Sequence, residues 1–253
     1  MTDPRRRFTD RVANYMRFRP GYPEALISAL LTASQNVESK AIADIGAGTG
    51  IFTRLLLRRG ARVYGVEPNA SMRQAAEEYL AGYRSFISVD GDAEHTGLAD
   101  ASVDLVTAAQ AFHWFDNEDS RAEFRRILKP GGSLALIWNK RRLAQPFQQE
   151  YDALLRELAP EYGKVNHMNL GEDEIALCFA AGQMQVMQFD NRQQLDFDGL
   201  IGRLESSSYC PATGSEAHIR LVEALSGLFA LHAVDGWLAF EYDTLLYQGP
   251  IAS

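Results

Sequence analysis

The segment AIADIGAGTGIF (residues 41–52) decides the fold class of this chain. An apolar run interrupted by one acid predicts a short buried strand at about 41–45, and the apolar spacing after it predicts a helix at about 50–59. Glycines occupy alternate positions between the two elements, at Gly46, Gly48 and Gly50. Glycine can adopt positive φ and lets a ligand approach the main chain closely, while a helix N-terminus presents unpaired N–H groups. The segment therefore predicts a strand–turn–helix unit with a ligand site at the turn.

Strands and helix-length segments alternate along the chain after this unit. The predicted elements are a strand at 62–66, a helix at 70–81, strands at 85–89 and 103–108, a helix at 118–128, a turn at 129–132 and a strand at 133–138. Consecutive strands joined through helices form parallel pairs, with the helices packed over the sheet. The pattern predicts an α/β fold with a mainly parallel sheet.

The chain beyond residue 142 follows a different pattern. It predicts a helix at 146–158, strands at 184–189 and 237–247, and between these strands a helical region at 197–235 in two pieces. Thr213 and Glu216 have the spacing of a capping box, which predicts a helix start. Two strands separated by a helical insertion indicate a hairpin edge that carries a helical cap. We expect a single domain, residues 1–253, divided into N-terminal helices (1–40), a cofactor-binding core (41–142) and a substrate-side half (143–253).

The composition excludes several classes of function. The chain has 253 residues, a formal net charge of −8 and 46% hydrophobic residues, which is typical of a globular protein. An acidic chain does not favour a broad nucleic-acid or anionic-membrane surface, and no apolar stretch or leader indicates a membrane span or secretion. Cys178 and Cys210 lack metal-ligand spacing, so we expect no metal and a cytoplasmic location. The sequence does not specify an oligomeric state.

A second motif narrows the class of ligand. Glu67 closes the second predicted strand (GVE) roughly twenty residues after the glycine turn, where an acid can accept both ribose hydroxyl hydrogens. The dinucleotide fingerprint G-x-G-x-x-G is not matched, because Ile51 stands at its third glycine position. No Tyr-x-x-x-Lys pair for hydride chemistry occurs in the chain. A ribose-bearing cofactor other than a dinucleotide is therefore favoured.

Polar and aromatic residues follow the next two strands. Asp92 comes after the third strand and could accept a hydrogen bond from an adenine amino group. Gln110, Ala111, His113 and Trp114 come after the fourth strand. Ligands bind at the carboxyl ends of strands in open α/β sheets, so this set, ordered along one edge, indicates a single site. Taken alone, Asp92 could equally cap a turn and Trp114 could equally be a packed core aromatic.

The motifs DIGAGTG, GVEP, GDAE, AQAFHWF and LKPGG resemble, in order and spacing, the class I S-adenosylmethionine-dependent methyltransferases. Within them the chain is most similar to the small-molecule branch, methyltransferase type 11 and trans-aconitate methyltransferase-like proteins. YMRFRPGYP and IWNKR are also similar to members of that branch. The matched motifs span about residues 8–142.

The resemblance implies a Rossmann-like sheet of seven strands, mostly parallel with an antiparallel last strand and helices on both faces. It implies that S-adenosylmethionine is the cofactor, with S-adenosylhomocysteine as product. Its binding residues would be Asp44, Gly46, Ala47, Gly48, Gly50, Glu67, Pro68, Met72, Asp92, Ala93, Gln110 and Ala111. Glu67 would hold the ribose, Pro68 and Met72 would flank the adenine, and Gln110 with Ala111 would pass beside the methionine.

The methyl acceptor is expected to be a small molecule, with a carboxylate as the candidate class, that attacks the methyl group by in-line displacement. Candidate catalytic residues are His113, Tyr15 and Arg19, and candidate substrate-binding residues are Tyr22, Trp114, Trp138 and Arg141. Arg19 could clamp a carboxylate bidentately or form an ordinary salt bridge, and His113 could be a general base or a packing group. Arg141 is expected to be solvated unless it reaches the cleft.

Two alternatives remain open at the level of sequence. One is a nicotinamide-dependent oxidoreductase, which shares the glycine turn and the ribose acid. The other is a non-catalytic S-adenosylmethionine-binding protein, because the binding motifs are better specified than any catalytic constellation.

Overall fold

The computed structural model describes residues 12–32, 40–164 and 171–252. Its strands are β1 (Ala41–Ile45), β2 (Arg62–Val66), β3 (Phe86–Val89), β4 (Val103–Ala109), β5 (Leu128–Arg141), β6 (Gln185–Leu195) and β7 (Leu238–Gly249). They form one seven-stranded sheet in the order β3-β2-β1-β4-β5-β7-β6. The first five strands pair in parallel, and the sheet is mixed because the last strand is antiparallel. The predicted Rossmann-like fold class is confirmed.

Helices fill most of the intervals between the strands. They are α1 (Val12–Phe18), α2 (Glu24–Thr32), α3 (Ile51–Arg58), α4 (Ala70–Tyr79), α5 (Glu118–Ile127), α6 (Pro146–Leu158), α7 (Glu172–Ala176), α8 (Phe197–Glu205) and α9 (Glu216–His232). The expected helical insertion between the last two strands is therefore present as α8 and α9. The parts of the expected N-terminal helices in 1–11 and 33–39 lie outside the described residues.

The alternation of side chains along the strands explains why helices cover both faces of the sheet. In β1, Ala43 and Ile45 join one buried cluster, and Ile42, the residue before Ala43, joins another. The first cluster includes Phe124 of α5, while the second includes Leu56 of α3. Because successive residues of a strand point to opposite faces, nearly continuous apolar strands bury side chains on both sides.

The chain divides into two compact units, and the division passes through β5, β6 and β7. The described residues of the first unit, here called the sheet unit, are 21–32, 40–139, 171–189 and 244–252. Those of the second, the helical unit, are 12–20, 140–164 and 190–243. The helical unit has its own apolar core, in which α6, α8 and α9 contribute residues such as Tyr151, Leu204 and Leu225. The expected single domain with boundaries at 40 and 142 stays a prediction.

Two local expectations were wrong. The predicted turn at 129–132 lies inside β5, where the register against β4 shifts between Val103 and Leu105 and Gly131 adopts a φ of 79°. The strand thus continues through an irregularity instead of starting after a turn. The N-cap of α9 is Ser215, whose side chain accepts the His218 N–H at 3.2 Å, and not Thr213. None of the helices in the described ranges combines the length and apolarity that crossing a membrane requires.

Candidate functional site

The glycine turn is fixed to the end of β2 by its own backbone. The N–H groups of Gly46 and Ala47 donate to the Val66 carbonyl at 2.9 and 3.1 Å. Gly46, Gly48 and Gly50 adopt φ values of 68°, 58° and 82°. Residues with a Cβ adopt this left-handed region only at an energetic cost. The alternating glycines are therefore required by the path of the turn.

Each glycine also admits a close neighbour. A Cβ on Gly46 would lie 2.7 Å from Ala111 Cβ, so this glycine lets the ends of β1 and β4 approach each other. A Cβ on Gly50 would lie 2.7 Å from Leu80 Cδ1, so this glycine permits α3 to pack beside the end of α4. At Gly48 the nearest side-chain atom would be Met72 Sδ, 3.8 Å away. Bare main chain at Gly48 thus faces the residue expected to flank a ligand base.

Asp44 is buried beneath this turn, with 1% of its surface exposed. Its carboxylate accepts hydrogen bonds from Thr53 Oγ1 of α3 at 2.6 Å and from Thr107 Oγ1 of β4 at 2.9 Å. Burial raises the pKa of Asp44 to about 6, although the two hydroxyl donors act in the opposite direction. Asp44 therefore ties β1, β4 and the first turn of α3 together directly behind the glycines.

Glu67 links the end of β2 to the same turn. Its Oε2 accepts the N–H of Gly48 and its Oε1 accepts the N–H of Asn69, both at 2.9 Å. The residue is 8% exposed, and burial raises its pKa against the effect of these two backbone donors. A carboxylate oxygen can accept a second hydrogen bond. The geometry leaves Glu67 acceptor capacity for hydroxyl hydrogens while it shapes the turn.

The N-terminus of α4 follows Glu67 directly. The Asn69 side chain accepts the Met72 N–H at 3.1 Å and so caps the helix. Met72 is buried, at 4% exposure, and Pro68 is half-buried. The expected pair around an adenine thus lies immediately before the N-cap (Pro68) and in the first turn (Met72) of α4.

Asp92 forms a local turn. Its Oδ1 accepts the N–H groups of Glu94 and His95 at 3.2 and 2.8 Å. Asp92 Oδ1 therefore caps a turn, as the alternative interpretation of this residue expected. Ala93 is 3% exposed and belongs to the core of the sheet unit.

Gln110 has a strained backbone at the end of β4. Its φ is 56°, a region that is uncommon for residues other than glycine. Its N–H donates to the Ile137 carbonyl at 2.8 Å and its Nε2 to the Asn139 carbonyl at 3.2 Å. Strained residues that their surroundings hold in place cluster at ligand sites. Next to it, Ala111 is 7% exposed and forms the close contact with Gly46 described above.

The remaining candidates of the sheet unit are distributed over its surface and core. His113 is half-buried and Trp114 is 36% exposed, and their rings lie 4.8 Å apart in a short 3₁₀ turn. The ring of Tyr22 contacts Phe52 of α3 edge-on at 4.9 Å. Trp138 is 1% exposed and packs against Phe112 in the core. Its position is that of a core aromatic, and its expected role in acceptor binding stays a prediction.

Three candidates belong to the helical unit. Tyr15 lies on α1, Arg19 just after it and Arg141 at the end of β5. Arg19 lies over the Tyr15 ring, 4.9 Å from its centre, and its Nη2 donates to the Ser206 carbonyl at 2.9 Å. The Arg141 side chain is 7% exposed and pairs with Asp152 at 3.2 Å. The expectation that Arg141 is solvated was wrong, because its side chain is enclosed by the helical unit.

Several residues that organise these sites were not singled out from the sequence. In the sheet unit they are Thr53, Thr107 and Asn139, and in the helical unit Arg203. The available signal was a polar residue in a buried apolar context: Thr107 interrupts the strand VDLVTAA, and Arg203 lies between apolar residues of α8.

Polar groups of the glycine turn match those of S-adenosylmethionine. Thr49, inside the glycine turn, is 1% exposed, and its Oγ1 has no hydrogen-bond partner among the described residues. Together with the bare backbone at Gly48 and the Glu67 carboxylate, this hydroxyl gives the turn a polar lining. These groups fit a nucleoside with ribose hydroxyls and polar methionine groups.

Comparison with known proteins agrees with this geometry. Residues 43–136 match the family model described as a methyltransferase domain. An uncharacterized methyltransferase of Mycobacterium tuberculosis is 32% identical over 97% of this chain and 96% of its own length. A proposed type II methyltransferase from Anaeromyxobacter dehalogenans, a solved structure, is 25% identical with a TM-score of 0.69 over 92% of this chain and 98% of that one.

These similarities extend beyond the glycine turn to nearly the full length of the chain. They do not favour the oxidoreductase or the non-catalytic alternative. The chain belongs to the class I S-adenosylmethionine-dependent methyltransferases, an enzyme family.

Proposed function

We propose that this methyltransferase binds S-adenosylmethionine at the glycine turn and transfers its methyl group to a small-molecule carboxylate in the cytoplasm. The observation that carries the proposal is the hydrogen bond from Gly48 N–H to Glu67 Oε2. It joins the bare main chain of the turn to the acid that ends β2. Both groups then face a single ligand that has hydroxyls at one end and charged groups at the other.

The residues of the sheet unit have separate tasks in this proposal. Glu67 accepts hydrogen bonds from the ribose hydroxyls, and Met72 and Pro68 bound the base. The turn from Gly46 to Gly50 and the strained Gln110–Ala111 segment bound the methionine portion. The backbone bonds of the turn and the Asp44 network hold these groups in place before the ligand binds. Such preorganisation reduces the ordering cost of binding.

S-adenosylmethionine supplies a methyl group already activated by its sulfonium charge. The protein therefore needs mainly to align the acceptor and to exclude water, and alignment alone can contribute about 7–11 kcal/mol in favourable cases. A carboxylate is ionised at neutral pH and attacks without losing a proton. Hydroxyl, amine or carbon acceptors need a proton acceptor within hydrogen-bond reach, a role for which His113 is the candidate in the sheet unit.

Two experiments test the proposal. Isothermal titration of the protein with S-adenosylmethionine, S-adenosylhomocysteine and NADH should show binding of the first two only. A screen of small carboxylic acids, phenols and amines with S-adenosylmethionine carrying a labelled methyl group should then yield labelled methyl esters. Binding of NADH alone contradicts the cofactor assignment, and label found only in phenols or amines contradicts the carboxylate assignment.

A further inference from the structure

Three arginines from different elements are enclosed within the helical unit. Arg19 follows α1, Arg141 ends β5 and Arg203 lies on α8. Arg203 is 7% exposed and the Arg141 side chain also 7%, while Arg19 is half-buried. Arginine is almost never buried unless it is paired, so their partners need to be accounted for.

Two of the three guanidinium groups converge on one turn. Arg19 Nη2 donates to the Ser206 carbonyl at 2.9 Å, and Arg203 Nη1 lies 3.1 Å from Ser207 Oγ. Ser206 and Ser207 follow α8 directly, and both are fully buried. Both arginines thus use neutral acceptors on adjacent residues. Neither forms an ion pair with a carboxylate in the described ranges 12–32, 40–164 and 171–252.

Within the described part of the chain, the third guanidinium shares its counter-ion with another arginine. Arg141 Nη2 bonds Asp152 Oδ1 at 3.2 Å and also the Tyr162 hydroxyl. Asp152 Oδ2 is meanwhile engaged by the exposed Arg156 at 2.7 Å. One carboxylate therefore serves two arginines here, and no carboxylate of the described residues pairs with Arg19 or Arg203.

Polar atoms of this group remain without partners. Arg19 Nε, Arg141 Nη1, Arg203 Nε and the Tyr151 hydroxyl are buried and have no hydrogen-bond partner in the part of the chain that the structure describes. A buried donor left unsatisfied is costly, and more so when it is charged. Three buried cationic donors of one unit thus have no partner among the described residues, which indicates a site that binds a ligand with acceptor atoms.

One neighbouring tyrosine, Tyr209, lies close enough to the arginines to respond to their charge. Burial acts to raise the pKa of Tyr209, but the charges of Arg141 and Arg203 outweigh it and the pKa is lowered. The ring of Tyr209 contacts Tyr162 edge-on at 4.9 Å. An opposite charge nearby stabilises the ionised form of a group, so this region favours negative charge.

We propose that the arginine cluster, defined as Arg19, Arg141 and Arg203 with the hydroxyls of Tyr151 and Tyr209, binds the oxyanion of a small organic molecule, a carboxylate or a phosphate. Guanidinium groups bind both oxyanions bidentately, and the tyrosine rings offer apolar contact to the rest of the molecule. The site stands on the helical unit alone. That its ligand is the methyl acceptor rests on the function proposed above.

Direct binding of defined anions tests the site without methyl transfer. Titration calorimetry would compare benzoate with benzamide, succinate with succinamide, and phenyl phosphate with phenol. We expect at least one of the three anions to bind at least tenfold more tightly than its neutral analogue. Preference for the carboxylates or for the phosphate identifies which oxyanion the site takes, and either preference supports it.

Two charge-conserving variants and a matched control locate the binding. In Arg203→Lys and Arg19→Lys the charge remains but the planar fork is lost, so anion affinity should fall at least tenfold. Arg220→Lys, on the exposed side of α9, should bind as the unaltered protein does. Circular dichroism and the melting temperature establish that each variant is folded. If Arg203→Lys does not fold, Arg19→Lys carries the test.

The results separate this inference from the proposed function. Equal binding of anions and neutral analogues, binding by none of the anions, or full affinity in folded lysine variants each overturns the arginine cluster as an oxyanion site. Anions that bind there but are not methylated in the presence of S-adenosylmethionine leave the site intact and contradict its assignment to the acceptor.

Discussion

Gly46 is constrained both by its backbone and by its neighbour. Its φ of 68° disfavours any other residue, at a cost of about 1–2 kcal/mol, and a Cβ would lie 2.7 Å from Ala111 Cβ. We predict that Gly46→Ala lowers the free energy of unfolding in urea by more than about 2 kcal/mol and abolishes cofactor binding.

Gly82 provides the control for this substitution. A Cβ there would meet no atom within 4 Å, and its φ is not positive. Gly82→Ala should change stability by less than about 1 kcal/mol, in the stabilising direction if at all. A Gly46→Ala protein as stable as the Gly82→Ala protein would show that the turn tolerates a side chain.

Glu67 provides the sharpest test of ligand contact by one side chain. Glu67→Gln keeps the shape and one acceptor oxygen, but it replaces the other with a donor and removes the charge. Charge-assisted hydrogen bonds contribute about 1.5–3 kcal/mol each, so we predict at least about tenfold weaker binding of S-adenosylmethionine by calorimetry. Glu78→Gln, on the exposed face of α4, is the control. Unchanged affinity in Glu67→Gln would remove the ribose assignment.

At the scale of an element, the N-cap of α9 expected from the sequence differs from the one in the structure. Ser215 accepts the His218 N–H, whereas Thr213 is exposed two residues before the cap. Loss of an N-cap typically costs about 1 kcal/mol. We predict this loss for Ser215→Ala and almost none for Thr213→Ala, measured by urea denaturation. The reverse ranking would mean that the helix begins where the sequence pattern placed it.

The attachment of α5 to the loop after β3 should depend on pH. Glu123 accepts hydrogen bonds from Thr96 N–H at 2.8 Å and from the Thr96 hydroxyl, and it pairs with Arg126. Chiefly because of Arg126, its pKa falls from 4.5 to about 2. A lowered carboxyl pKa contributes stability above the unfolded value of 4.5 that is lost as the pH falls toward 2.

The corresponding measurement compares Glu123→Gln with the unaltered protein across that window. The unaltered protein should lose up to about 1.4 kcal/mol per pH unit more than the variant between pH 4.5 and 2. Glu78→Gln should follow the unaltered protein. Parallel stability curves for Glu123→Gln and the unaltered protein would show that this carboxylate is not held in its ionised form.

At the scale of the whole molecule, ligand binding should appear as stabilisation. A ligand at a hundred times its dissociation constant stabilises the native state by about 2.7 kcal/mol, which corresponds to roughly 5–10 °C for a chain of this size. We predict such a rise in melting temperature with S-adenosylhomocysteine and none with NAD. Hydrogen exchange should slow at the turn 46–50 and around Glu67. Protection restricted to the helical unit would contradict the location of the cofactor site.

The site was predictable from sequence to different degrees in the two units. In the sheet unit the motifs are local: Gly46, Gly48 and Gly50 lie within five residues, and Glu67 directly follows a strand whose bounds, 62–66, were predicted as they are observed. In the helical unit, Arg19 and Arg203 are brought together through the turn at Ser206 and Ser207. No local pattern reports that convergence, since the two arginines are far apart in the chain.

The sequence by itself determined the strand–turn–helix unit at residues 41–58, the parallel half of the sheet and the family to which the chain belongs. These features follow from short-range chemistry: apolar periodicity, glycine where φ must be positive, and an acid at the end of a strand. Only the tertiary structure decided that Asp44 accepts hydrogen bonds from two threonine hydroxyls and that Arg141 and Arg203 are both buried in the helical unit. Burial and pairing depend on distant segments packing together, and no single segment of the sequence contains that information.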